Sequence, residues 1–300
     1  MKKRLLLMSH FITIILIYFL AFGAVYFLFY REILSNTIIN VLIADVVATL
    51  VIFLFSIIFN NSSVYDPYWS VAPPVIVLYL IHQFPDGNNL RQIIILVLVT
   101  FWSLRLTINW FRGWKGFGHQ DWRYINIANK TGVLYWPVSF LGIHLMPTLF
   151  VFLGCLPLWV ALSSSEVLNF YDGIAALFTF IAILIECIAD EQLLKFRKKK
   201  IKSSFMKSGL WSISRHPNYL GEICFWLGLF LFVLSSSQLT GFTGYWTGIG
   251  SVFMLILFKF ISIPMMEKRN KERKVGYQEY INDVPALFPA IISNKRRTHF

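Results

Sequence analysis

Asn218 and Glu222 stand four residues apart in the run Gly209-Leu-Trp-Ser-Ile-Ser-Arg-His-Pro-Asn-Tyr-Leu-Gly-Glu222, between a cationic loop and a strongly apolar stretch. A helix starting near Pro217 puts both on one face. Proline at the first helical position loses no hydrogen bond, because that amide would be unpaired anyway. The next amides form the positive end of the helix, with Arg215, His216 and Tyr219 beside them. That arrangement suits a phosphate or a carboxylate.

Glu186 and Asp190 are also four apart, and like charges at that spacing repel. They require a cationic partner, a proton or a ligand that brings donors, and Arg105 is the partner the sequence offers. Two readings follow: an arginine–carboxylate pair that ties two helices, or Asp190 as an acceptor for a bound cofactor. The segment His119-Gln-Asp-Trp-Arg-Tyr124 reads either as an interfacial aromatic belt or as a phosphate site in which Asp121 orients Arg123. In Asn60-Asn-Ser-Ser-Val-Tyr-Asp-Pro-Tyr-Trp-Ser70, Asp66-Pro67 is a turn signal and Tyr68 reads as an anchoring aromatic or as a neutral proton donor to a developing oxyanion. Asn61-Ser-Ser63 matches a glycosylation acceptor but falls on the face assigned below to the cytoplasm. In the tail, Arg269 and Arg273 are the residues best placed to reach an anion, on a solvated helix that Gly276 interrupts.

Cys155, Cys187 and Cys224 lie in apolar blocks with no metal-ligand spacing, so no metal site is expected. No GxGxxG after a strand, Walker lysine or HExxH occurs, so any nucleotide must sit in a membrane-embedded pocket. Gly244-xxx-Gly248 is a helix-packing pattern.

The elements that must position these residues are membrane helices. Of 300 residues 57% are hydrophobic and 14% charged, against about 25% charged in soluble chains. Apolar blocks at about 5–30, 38–59, 70–84, 91–111, 134–161, 169–189, 219–236 and 245–265 predict an all-α bundle of seven or eight spans. The 70–84 block is short and holds Pro73 and Pro74, which predicts a broken or re-entrant segment. The first block is too long for a cleaved signal peptide and is expected to remain as a helix. The net charge of +12 concentrates at the N-terminus, in 112–133, in 195–215 and in the tail, while 162–168 and 237–244 have no Lys or Arg. With eight spans all basic segments share one face, which makes both termini cytoplasmic and argues against nucleic acid. The membrane would be the plasma (inner) membrane in a bacterium and the endoplasmic reticulum in a eukaryote.

The 209–222 run resembles the steroid 5-alpha-reductase family, in its broad multi-span branch (DUF1295-like). Tyr65-Asp-Pro-Tyr-Trp-Ser70, Trp102-Ser-Leu-Arg-Leu106, Asp121-Trp-Arg-Tyr124, Asp190-Glu-Gln192, and Glu267 leading to Gly276-Tyr277 and Pro289 agree with it. The similarity covers roughly 60–290, which leaves 1–59 as N-terminal helices and 291–300 as a basic tail. It implies a bundle that binds NADPH and reduces a carbon–carbon double bond conjugated to a carbonyl in a lipophilic substrate (a steroid, isoprenoid or enoyl lipid). By position, Asn218 and Glu222 would bind the nicotinamide half, and Asp190 and Arg197 the adenosine–phosphate part. Arg105, Arg123, Arg269 and Arg273 would contact phosphates. In this reductase reading Tyr68 or Asp66 is the acid that polarises the carbonyl. The Gln-Glu pair that engages the ketone in steroid-reducing members has no counterpart near Asp66, Tyr68 and Trp69, and Arg269 and Arg273 replace a histidine and a tyrosine. Steroid specificity is therefore not implied.

Arg-His-Pro-x-Tyr followed by an acidic–Tyr–Pro tail also occurs in S-adenosylmethionine-dependent methyltransferases of isoprenylcysteine and phospholipids. Their paired glutamates are here Met266-Glu267. A non-catalytic lipid-binding protein is the third reading.

Overall fold

The structure is a computed structural model that describes residues 2–29, 34–199, 204–236 and 244–289. The basic tail at 291–300, residues 200–203 of the basic loop and the side chains of residues 2–4 lie outside the described residues. Among the described residues the regular structure is helical, and seven segments are long and apolar enough to cross a membrane. The protein is a multi-pass membrane bundle.

The helices begin where the sequence supplies caps. Helix α1 (Lys2–Phe29) precedes α2 (Thr37–Ile58), whose first amides donate to the Asn36 side chain. Helix α3 (Tyr68–Gln83) leads to α4 (Asn89–Gly113), capped by Asn88. Asp121 caps α5 (Trp122–Thr131). Helix α6 (Tyr135–Ser139) runs through a π-helical turn, Phe140–Leu145, into α7 (Met146–Ser163). Asn169 and Asp172 form a capping box for α8 (Phe170–Lys198), the reciprocal arrangement that satisfies two free amides at once. Helix α9 (Pro217–Leu231) starts at the predicted proline. Helix α10 (Ile249–Ile256) continues through a second π-helical segment into α11 (Ile263–Arg273). Gly276, at φ 75°, makes the left-handed turn into α12 (Tyr277–Asp283).

The proline pair does not break the third block. Pro73 and Pro74 lie inside a continuous α3, which spans about 24 Å at 1.5 Å per residue and packs on α4 and α7. Membrane bundles tolerate proline inside a helix in this way because packing within the protein can shelter the carbonyls that the missing amides leave free.

Short connections make successive helices alternate in direction. The ends of α2, α4, α8 and α11 therefore gather with the starts of α3, α6 and α9 on one face, here called the basic face. Near the opposite face Arg91 and Asp172 form a buried bidentate pair, Nε to Oδ1 at 2.7 Å and Nη2 to Oδ2 at 3.0 Å. Arg91 also donates to the Ser164 carbonyl, which ties α4 to the start of α8.

The most extensive contact is between α8 and α9, and small residues allow it. A Cβ added at Gly221 would lie 2.4 Å from Glu186 Cγ, and one at Gly228 would lie 2.2 Å from Thr179 Oγ1. Close approach of this kind is how membrane helices gain packing without a hydrophobic drive between them.

Candidate functional site

The α8–α9 contact brings three carboxylates to one arginine. From α4, Arg105 Nη2 lies 2.7 Å from Glu186 and 3.2 Å from Glu222, and its Nη1 lies 2.6 Å from Asp190. Asn109, one turn further along α4, donates to the same Asp190 oxygen at 2.6 Å. Two indoles complete the coordination of Glu222: Trp102 Nε1 donates to Oε2 at 3.2 Å and Trp226 Nε1 to Oε1 at 3.0 Å. Glu186 is fully buried and Arg105 is 7% exposed.

One guanidinium cannot neutralise three carboxylates in a membrane interior, so this centre is completed by protons or by a ligand that brings donors. Four buried atoms of the centre and of Asn218, one turn before Glu222, have no hydrogen-bond partner: Arg105 Nε, both Glu186 oxygens (Oε2 is held only by the ion pair with Arg105) and Asn218 Oδ1. The expected pairing of Arg105 with Glu186 and Asp190 is present. The participation of Glu222, Trp102, Trp226 and Asn109 was not read from the sequence, although two tryptophans facing a buried acid are the donors an apolar wall would need.

A basic rim surrounds the centre. Asp190 and Arg197 of α8 and Asp121 and Arg123 at the start of α5 are all within electrostatic range of Tyr219. Asp121 does orient Arg123, accepting from its Nε at 2.8 Å. Arg269 lies over the Trp122 ring at 3.9 Å, a cation–π contact, and Arg273 and Arg123 bear on it electrostatically. Segments around 105, 121, 190, 219 and 269 thus converge at the basic face.

Arg215 and His216 are placed differently from a free anion cradle. Arg215 Nε bonds Glu267 at 2.7 Å and its Nη1 donates to the carbonyls of Ile281 and Val284. His216 Nε2 lies 3.1 Å from the same Glu267 oxygen, and its ring stacks on Tyr219. Their backbone amides donate to Pro285 and Ala286. The pair fastens the C-terminal segment over the start of α9, beside a cavity of about 250 Å³ to which Arg197, Asn218 and Tyr219 also contribute.

The two expected acids separate. Asp66 is half-buried and accepts from Tyr124 at 2.7 Å. Burial pushes its carboxyl up to about 6, opposed by the Tyr124 hydroxyl and the nearby Arg123. Tyr68 instead donates to Asp45 Oδ1 at 2.5 Å. Tyr68 and Asp45 line a cavity of about 540 Å³ between α1, α2 and α3; Asp66 does not. Asp45 was not singled out in the sequence, yet a lone acid within the 38–59 block is itself a signal. Trp69 meets Trp102 edge-on at 6.0 Å, placing indole rings between this cavity and Glu222. Asn61 is buried, capping the turn at Ser62–Val64 and donating to the Phe117 and His119 carbonyls.

The three cysteines are free, and no group of three or more potential metal ligands occurs among the described residues. The family described as "Protein of unknown function (DUF1295)" matches residues 52–284. The chain is 28% identical over 261 residues to "Uncharacterized protein C594.04c" of Schizosaccharomyces pombe, an alignment covering 77% of this chain and 74% of that protein. No solved structure matches.

Proposed function

This chain belongs to the DUF1295 family, and we propose that it is an NADPH-dependent membrane oxidoreductase acting on CH–CH groups. Its substrate would be a lipophilic molecule whose carbon–carbon double bond is conjugated to a carbonyl. One observation carries the reading: a buried, acceptor-rich centre with unpartnered polar atoms adjoins a rim of arginines. A ligand suited to both has amide donors at one end and phosphates at the other. Glu222 and Asn218 would take the amide end, and Arg105 would hold the carboxylates in place. Asp190 and Arg197 would meet the adenosine side, and Arg123, Arg269 and Arg273 the phosphates. Arg215, His216 and Tyr219 would keep the start of α9 in register beneath the tail.

When bound, the cofactor would supply the hydride. The protein's own part is to exclude water with Trp102, Trp226 and Phe225 and to manage a proton at the substrate oxygen. Tyr68 and Asp45 share a short hydrogen bond, and with one further proton on Asp45 the pair becomes a donor toward a carbonyl. By the positive-inside rule the basic face would lie in the cytoplasm, where NADPH is available.

The excess of carboxylates at Arg105 favours one second reading, a methyltransferase, because the sulfonium of S-adenosylmethionine is a cation. Thermal shifts of the detergent-purified protein with NADPH, NADH and S-adenosylmethionine separate the readings. Stabilisation by NADPH that Glu222→Ala removes, with the variant still folded, is expected. Stabilisation by S-adenosylmethionine alone would refute the reductase reading, and no shift with any of them leaves lipid binding.

A further inference from the structure

The cavity between α1, α2 and α3 carries recognition chemistry of its own. Its volume of about 540 Å³ falls inside the usual range for ligand sites, about 300–1,000 Å³. Much of the wall is apolar or aromatic, with Phe22, Val41, Ala72 and Ile76 among the lining residues. Tyr26, Val75 and His82 line it and are exposed, so the cavity reaches the surface of the bundle. Tyr26 and His82 lie at the ends of α1 and α3 away from the basic face.

Two polar residues on the α2 wall have an oxygen that nothing in the fold satisfies. Asp45 is 5% exposed, its Oδ1 takes the Tyr68 proton, and its Oδ2 has no partner. Asn40 is 5% exposed, its amide nitrogen donates to the Leu34 carbonyl at 2.7 Å, and its Oδ1 has no partner. That bond fixes the orientation of the amide, so the Asn40 oxygen is an acceptor under all conditions. Buried acceptors without donors are costly in an apolar wall.

We propose that this cavity binds a long lipophilic molecule whose polar group donates hydrogen bonds, a hydroxyl or a protonated amine, and that Asn40 selects it. The ligand enters laterally from the bilayer past Tyr26 and His82. Asn40 lies five residues, or about 7.5 Å of helix rise, from Asp45. A donor on Asn40 therefore leaves the Tyr68–Asp45 pair free for a second oxygen of the same molecule. Calling this ligand the substrate rests on the reductase reading; its binding does not, and is measured without cofactor.

The test uses the full chain in nanodiscs and a tritiated sixteen-carbon primary alcohol, competed by the matching amine, methyl ether and methyl ketone. The alcohol or the amine should compete about tenfold better than the ether, the worth of one well-made hydrogen bond. Asn40→Leu should erase that preference, whereas Asn40→Asp, which keeps an acceptor, should retain it. Ala72→Phe should abolish binding of all four by filling the cavity. Whichever of alcohol and amine competes better identifies the head group. Equal competition by alcohol, amine and ether, or a preference that survives Asn40→Leu, would overturn the proposal. A ketone that outcompetes the alcohol would also overturn it, and would leave the reductase reading intact. NADPH stabilisation measured in parallel reads that other proposal separately.

Discussion

Replacing Arg105 by methionine keeps most of the side-chain volume and removes the only cation in contact with Glu186, Glu222 and Asp190 among the described residues. Removing one partner of a buried ion pair destabilises by about 3–5 kcal/mol, because the remaining charge is left in a poor solvent. At about 2–4 °C of melting temperature per kcal/mol, the loss is roughly 6–20 °C. The three acids are not equally dependent on the arginine. Asp190 keeps Asn109, and Glu222 keeps two indole donors. Glu186 keeps no hydrogen-bond donor, so it bears most of the penalty. Glu186→Gln in the Arg105→Met background should therefore recover at least half of the lost melting temperature, while Asp190→Asn should recover less. Temperature-ramped size-exclusion chromatography in detergent measures all of these. A single variant melting within roughly 2 °C of the parent, or a double variant with no recovery, would refute this account of the centre.

Arg91→Met, at the other end of α4, should lower the melting temperature by a comparable amount but leave NADPH affinity unchanged, since it breaks contacts to Asp172 and the Ser164 carbonyl far from the basic face; a matched titration checks this. Gly221→Ala should cost about 1–3 kcal/mol, because its Cβ would strike Glu186 Cγ and the Ala182 carbonyl; thermal melts check the cost and NADPH titration its effect on the site. Asp66 has a folded-state carboxyl raised from 3.8 to about 6. The folded protein therefore binds the proton more tightly than the unfolded chain, and the Asp66 contribution to stability is present below about pH 4 and lost as pH rises through 6. Melting temperatures measured over that window should slope less in Asp66→Asn than in the parent.

Sequence alone located the helices because each apolar block is long enough to cross a bilayer, and it located Arg105 with Glu186 and Asp190 because an i, i+4 acid pair demands a cation. It did not supply Glu222 to the same arginine. That meeting depends on how α8 crosses α9, and the crossing is set by Gly221 and Gly228 against Glu186 and Thr179. Arg215 reads as an anion ligand from its neighbours in the chain, yet its partners, Glu267 and two carbonyls, are more than fifty residues away. Asp45 was visible as a lone acid in an apolar block, but only the packing of α2 on α3 turns it toward Tyr68.

The glycine contacts between α8 and α9 also set where motion can occur. With Gly221 and Gly228 seated against side chains of α8, neither helix can slide along the other without steric overlap, so the two form one rigid body. The contact of α1 with the rest of the bundle is chiefly with α2. An opening that admits a bulky molecule to the cavity therefore falls to α1, because α2 is itself held to α7 through Thr49 and Thr148. Tyr18 and Phe22 of α1 meet the Tyr68 ring, so that motion would be felt first at the Tyr68–Asp45 pair.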